Sequence, residues 1–474
     1  MSAKAQLTRT TARLAEQTRG EYKFKQLHAE AAKLRPPYLD RATYIGPVRV
    51  QDAGPGGRGL FTTEAVKAGD LLFCKKAFAC VFSDADAREA PLLLDPEAGG
   101  GISIHSDLIN MAIQKLHQNP SLIPTITKLH HGSYQPVTTA RIDGRPIIDS
   151  FLIHRIVDIN TFSNPLTTLA ALTGSNASKT ESSGIWPLAS YLNHSCMETA
   201  SRAFIADFLI ARATCDLPAN AELTWAYRPA SAASDRESKR NRERMLRQWG
   251  YECHCALCAD AKGLREAVVV TRRALVEGVW RTVGEAGLIA PRGVVLGTVD
   301  SAVEALEGTY ARPAEEVPRL EAMGLMLRAL EALGHVIEGG ERGTVVVRKW
   351  GMMVGPVVEC WMLLRDTYQE TAPELVAPAE EYARTAYRIV MGEDETLDQF
   401  PARSAARRGS RYPSVATQRP STSDRPAARH HHGRRAKVFL HETTGSITLE
   451  KVYSHDVGSA VKMPIGRLYS TSST

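Results

Sequence analysis

Hydrophobic spacing along the 474-residue chain divides it into segments of different predicted structure. Residues 1–35 place Ala and Leu among charged side chains at helical spacing, and Pro36-Pro37 stops that helix. Residues 44–82 read as strands. There YIGPVRVQDAG and LFTTEAVKAGDLLFCKKAFACVF flank the Gly-rich turn GPGGRG, and Lys67-Ala68-Gly69-Asp70 turns between two short apolar runs. Residues 83–160 are mixed, with helical periodicity in SDLINMAIQKLHQN and again in SFLIHRIVDINTF. Short strands return over 185–227, in RAFIADFLIARATCDL and AELTWAY. From about 235 the pattern is helical: first the charged DRESKRNRERMLRQW, then amphipathic stretches over 261–395 such as VPRLEAMGLMLRALEALGHVIEGG. Pairs of such helices predict an αα stack without a clean fixed period. After Pro401 the chain is rich in Arg, Ser, Pro and His, a composition that predicts disorder.

Charge sharpens this division. Residues 401–440 carry nine Arg and one Lys against one Asp, so the net +6 of the chain leaves −3 for everything else. A slightly acidic body does not grip nucleic acid through its surface charge, and no sequence-specific nucleic-acid binding is expected. No run of eighteen apolar residues occurs, so neither a membrane span nor membrane partners are expected. The N-terminus lacks the apolar stretch of a secretory signal, and Glu16 and Glu21 argue against a transit peptide. The protein is therefore expected inside the cell. There its eight cysteines read as thiols or metal ligands rather than disulfides.

Three of those cysteines lie within six residues, as Cys253-His254-Cys255-Ala256-Leu257-Cys258. Thiolates at C-x-C-x2-C spacing can face one point in a tight knuckle, and structural zinc takes four ligands in a closed tetrahedron. A fourth ligand must join the three local ones, and His254 is one candidate. The competing reading is three buried free thiols.

Sequence words point further. Asn193-His194-Ser195-Cys196 and Glu222-Leu223-Thr224-Trp225-Ala226-Tyr227 are followed by the closing run Trp249-Gly250-Tyr251-Glu252-Cys253-His254-Cys255-Ala256-Leu257-Cys258. They are preceded by Gly57-Arg58-Gly59-Leu60-Phe61, Ala68-Gly69-Asp70 and Asn160-Thr161-Phe162. In this order the words resemble the SET-domain protein lysine methyltransferases, and among them the SMYD-like branch, over roughly residues 46–260. Each word alone is a weak signal; the ordered set is a strong one.

The resemblance implies an α+β chain. Its parts are an N-terminal helical segment (1–43), a SET-domain β-fold (44–235) with a helical insertion at about 83–160, a post-SET zinc segment (236–260), an all-α TPR-like helical domain (261–400) and a basic, disordered tail (401–474). It names Cys196 as the fourth ligand of a structural zinc with Cys253, Cys255 and Cys258. It assigns S-adenosylmethionine to Gly57, Arg58, Gly59, Asn160, Asn193, His194, Tyr227 and Tyr251. Physically, such a ligand needs acceptors for its ammonium, amide donors for its carboxylate and a flat face for its adenine. Glycines at 56, 57 and 59 let the backbone come close, and Tyr251 can stack on a base. The competing reading of Asn193 and His194 is a hydrogen-bond hub locking a crossed loop, and the two roles can coexist.

Tyr227 is the catalytic candidate, against the simpler reading of a strand-end core tyrosine. Methyl transfer needs a neutral amine, and a tyrosine hydroxyl in an aromatic channel can orient it. Trp249 stands where related enzymes carry a second channel aromatic. The chain departs from the family where D-P-N usually follows N-H-S-C: here Met197-Glu198-Thr199 follows. The MYND finger of the SMYD-like branch is absent, since residues 81–195 contain no Cys. The reading is an S-adenosylmethionine-dependent lysine methyltransferase of nucleus or cytoplasm acting on proteins or peptides, histones among the candidates. The alternative is an inactive SET and TPR-like scaffold that binds partner proteins, which the 197–199 departure favours.

Overall fold

The computed structural model describes residues 2–84, 94–95, 100–101, 103–173, 180–227 and 373–399, with 55, 56, 140 and 197 left out. It further describes Trp249, Tyr251 to Cys255, Cys258, single positions within 265–274 and 358–369, and the segments 436–443 and 446–453. The chain divides into two units, Met1–Arg408 and Gly409–Thr474.

The helix expected over 1–35 is two helices. Helix α1 (Ala3–Arg19) starts at Ser2, whose side chain accepts the Ala5 N–H, and stops at Gly20 with φ 68°, a left-handed C-cap that glycine adopts without strain. Helix α2 (Phe24–Lys33) buries Phe24, Leu27 and Ala31. They pack among Cys74, Phe208 and Ile210 of the sheet beneath. The break is needed because α2 must turn that apolar stripe inward, whereas most of α1 is exposed.

Short strands follow: β1 (Tyr44–Ile45), β2 (Val48–Asp52), β3 (Arg58–Thr62), β4 (Leu71–Lys76) and β5 (Ala79–Asp84). The Gly-rich turn closes the β2–β3 hairpin, with Ala53 N–H donating to Gly57 O at 2.7 Å and Gly54 and Gly57 at positive φ. The insertion carries two-residue strands β6 (Leu94–Asp95) and β7 (Gly100–Gly101), helices α3 (Ser103–Gln118) and α4 (Ile123–Thr127), the small pair β8 (Arg141–Ile142) and β9 (Arg145–Pro146), and helix α5 (Ser150–Asn160). Leu108, Ala112 and Leu116 of α3 form one buried stripe at four-residue spacing, which meets Leu152, Ile153, Ile156 and Val157 of α5. Asp149 caps α5, its carboxylate accepting the Leu152 N–H at 3.0 Å.

The second half supplies β10 (Phe162–Pro165), α6 (Thr168–Thr173), β11 (Thr180–Ile185), β12 (Asn193–His194), β13 (Ala200–Ile205), β14 (Phe208–Ala213) and β15 (Glu222–Trp225). Three small sheets result, in the orders β1-β4-β14-β13, β10-β11-β5 and β12-β15-β3-β2. Every residue of β14 is buried, Arg212 among them, since the strand lies inside its sheet between β4 and β13. Strand β12 pairs parallel to β15, so the Asn193-His194 segment crosses to lie beside the strand that leads into Tyr227.

Of the expected TPR-like domain, the described part is chiefly one helix, Val376–Met391. It lies on β13 and β14. Buried Arg212 ties its end down, donating from Nε to Gly392 O at 2.6 Å and from Nη1 to Gly69 O at 2.8 Å. The helical pairing expected over 261–400 otherwise lies outside the described residues, as does the charged helix at 235–248. The tail, expected to be disordered, contains an antiparallel pair, β16 (Ala436–Thr443) with β17 (Ser446–Tyr453). Its arginine-rich composition set the expectation. Within it, VFL and SITLE are β-branched and apolar enough to pair locally. No helix among the described residues is long and apolar enough to cross a membrane.

Candidate functional site

A cleft of about 640 Å³ opens between the insertion and the crossed segment. Strand β15 delivers Tyr227 to it. His130, His131, Asp158 and Ile159 come from the insertion side, and Phe162, Tyr191, Trp225, Trp249 and Tyr251 give it aromatic walls. Tyr227 stacks tilted between His194 and Trp249, at ring-centroid distances of 5.3 and 5.2 Å. Trp249 is held by its indole N–H, which donates to Ile159 O at 3.0 Å. Burial, with Tyr251 and Glu222 nearby and Arg202 opposing, pushes the Tyr227 phenol up to about 12. At neutral pH it is therefore a neutral hydroxyl that can both donate and accept a hydrogen bond.

Gly57, Arg58, Asn160, Asn193, Tyr227, Trp249 and Tyr251 all line the cleft; Gly59 and His194 do not. His194 lies beneath the wall, 3% exposed. Its Nδ1 accepts the Tyr227 N–H at 3.0 Å, so the ring proton sits on Nε2, which points at Cys196 Sγ 3.4 Å away. This tautomer is assigned from the hydrogen bonds. Its carbonyl accepts the Tyr251 hydroxyl at 3.1 Å. One histidine thus joins the cysteine cluster to Tyr227 and Tyr251. Asn193 donates to Glu222 Oε1 at 2.8 Å, and Asn160 donates to His130 O and Ile156 O, both at 2.8 Å. In these contacts both asparagines act as hubs holding crossed segments together.

Gly59 has a different use from the one expected. A Cβ there would sit 2.8 Å from Glu222 Oε1 and 3.0 Å from Phe61. The missing side chain leaves Glu222 room to hold Asn193. Gly59→Ala is expected to cost about 1–3 kcal/mol through overpacking and to weaken ligand binding at the cleft. Chemical denaturation and ligand titration of the variant check both, and parental values in both would refute the role.

The structure brings Cys196, Cys253, Cys255 and Cys258 together. Their sulfurs all lie within 4.8 Å of one another. Cys196 Sγ is 3.9 Å from Cys253 Sγ and 3.6 Å from Cys258 Sγ. A tetrahedral zinc with Zn–S of about 2.3 Å needs sulfur-to-sulfur edges of about 3.8 Å, so this donor set fits the ion in chemistry and in size. His254 stands outside the cluster.

Glu198 and Thr199 of the departing loop are also knitted into the fold. Glu198 Oε2 accepts the Ala226 N–H at 3.2 Å, and the Thr199 hydroxyl donates to Glu222 O at 3.1 Å while accepting the Thr224 N–H at 2.9 Å. The sequence words singled out neither Glu198 nor Arg202, which also lines the cleft. The one signal for Arg202 was a lone charge inside the strand ASRAFI. None of the described residues after Tyr251 lines the cleft, so the helix Val376–Met391 does not narrow its entrance.

A family model of the SET domain matches residues 57–228. The SET-domain part of the resemblance is borne out over that stretch. A protein of Gibberella zeae named "Methyltransferase" is 33% identical over 446 residues, 85% of this chain and 60% of its own length. The chain therefore spans about 60% of that relative. A solved structure described as the SET domain of LSMT bound to lysine and AdoHcy matches at 13% identity with a TM-score of 0.21, covering 80% of this chain and 91% of that one.

Proposed function

We propose that the protein is an S-adenosylmethionine-dependent protein-lysine N-methyltransferase of the SMYD-like branch, with a structural zinc held by Cys196, Cys253, Cys255 and Cys258. The observation that carries this reading is Tyr227: a neutral phenol at the wall of an aromatic cleft, fixed through its own backbone by the crossed segment. S-Adenosylmethionine, when bound, supplies an electrophilic methyl group on a sulfonium.

The chain's own residues supply the rest. A lysine in water has a pKa of about 10.4 and must lose a proton before it can attack. Trp225, Tyr227 and Trp249 offer an apolar surround that disfavours the ammonium and lowers that pKa. The Tyr227 hydroxyl can accept a hydrogen bond from the amine and align its lone pair, so that catalysis is chiefly positioning. Gly57, Arg58, Asn160, Asn193 and Tyr251 are the residues that would hold the cofactor, and protein or peptide lysines, histone tails included, are the substrates to be tested.

Calorimetric titration with S-adenosylmethionine, followed by mass spectrometry of a histone and peptide panel, tests the reading. Saturable binding with mass gains of one methyl or more on a lysine is expected. Absence of binding would overturn it in favour of a scaffold.

A further inference from the structure

Three side chains grip three consecutive backbone groups immediately before the Tyr227 ring. Glu198 Oε2 accepts the Ala226 N–H at 3.2 Å. Arg202 donates from both Nη1 and Nη2 to Ala226 O, each at 3.0 Å. His194 Nδ1 accepts the Tyr227 N–H at 3.0 Å. The peptide joining Ala226 to Tyr227 is thus held at both its ends, and the peptide before it is held at its nitrogen. The guanidinium is itself braced, lying 5.0 Å over the Trp225 ring. Glu198 comes from the loop that departs from the SET-domain word, and Arg202 is the one charged residue of β13.

We propose that Arg202, together with Glu198, is a positioning pair that sets the Tyr227 hydroxyl in the cleft. This rests on the reading of Tyr227 as the residue that aligns the lysine. A strand end carries few ladder bonds: β15 ends at Trp225, and Ala226 and Tyr227 lie beyond it. Without side-chain partners those two residues would be free to pivot, and the ring with them. A misplacement of about 1 Å at a reacting centre costs on the order of a hundredfold in rate. Two guanidinium N–H groups converging on one oxygen from a rigid plane hold the carbonyl in place more firmly than a single bond from a flexible lysine ammonium.

The full chain is tested as Arg202→Met, Arg202→Lys, Glu198→Ala and Glu198→Gln beside Tyr227→Phe. The readouts are kcat and KM on the methyl-accepting peptide, S-adenosylhomocysteine affinity and melting temperature. Arg202→Met and Glu198→Ala are expected to lower kcat by roughly tenfold to a hundredfold, with peptide KM and S-adenosylhomocysteine affinity within about twofold of the parent. Arg202→Lys recovers only part of the rate, since it cannot fork. Glu198→Gln recovers most of it, since its amide oxygen still accepts the Ala226 N–H. Parental turnover in Arg202→Met overturns the proposal, as does a fall in affinity that matches the fall in rate. Crystal structures of the parent and of Arg202→Met with S-adenosylhomocysteine decide the matter independently of turnover: a displaced Tyr227 supports the proposal, and an unmoved one overturns it. Tyr227→Phe keeps the two ideas apart. Full activity in that variant removes the role of Tyr227, while the paired structures still judge the clamp.

Discussion

Tyr227→Phe is expected to slow methyl transfer by about tenfold to a thousandfold, a barrier increase of roughly 1.4–4 kcal/mol, while leaving cofactor affinity and folding close to the parent. The substitution removes one oxygen and keeps the ring between His194 and Trp249. The backbone grip on Tyr227 uses its N–H and is untouched. What is lost is the polar group that aligns the amine in an otherwise apolar surround. The measurement is methyl transfer by both proteins on the same peptide, with S-adenosylhomocysteine affinity as control. Equal rates would make Tyr227 a core residue that happens to line the cleft.

Removal of zinc is expected to have the largest effect on stability. Chelation, or Cys196→Ala, should take bound zinc from about one ion per chain to none and lower the melting temperature sharply. In small zinc domains the ion contributes on the order of 10 kcal/mol of folding free energy. The damage should also reach the cleft. His194 Nε2 loses the Cys196 sulfur it faces, and Tyr227, Trp249 and Tyr251 pack directly on the cysteines. Cofactor binding is therefore expected to fail together with the metal. Elemental analysis and thermal unfolding of the treated protein check this. A purified protein that holds no zinc yet melts unchanged after Cys196→Ala would refute it.

These effects depend on contacts that differ in how far apart their partners lie along the chain. Features set by a few neighbouring residues could be read directly from the sequence. Gly54 and Gly57 take the positive φ of the β2–β3 turn, Asp70 closes the Lys67 turn with its own backbone and side chain, and the stripes of α3 and α5 face one core. The C-x-C-x2-C knuckle and the Asn193-His194-Ser195-Cys196 word belong to the same class, since ligand spacing and word order are local properties. Gly20 belongs to the same local class: its left-handed cap splits one expected helix into two.

Tertiary structure decided the rest, apart from Cys196, which the family resemblance names from the sequence. Cys196 reaches Cys253 and Cys258 across 57 and 62 residues, and Asn193 reaches Glu222 across 29. Each of these contacts exists because β12 crosses to pair with β15. No propensity encodes such a crossing, which depends on how the sheets bury their faces together. Gly59 looked like a ligand contact because glycine permits close approach, yet what approaches it is the Glu222 carboxylate. Arg202 and Glu198 carried no recognisable word. Their geometry depends on a strand end brought beside Arg202 of β13 and the preceding loop residue Glu198, 24 and 28 residues earlier in the chain. Local chemistry could therefore name the groups able to bind metal, cofactor and amine, while the crossing of the chain determined which of them face the cleft and which hold the others in place.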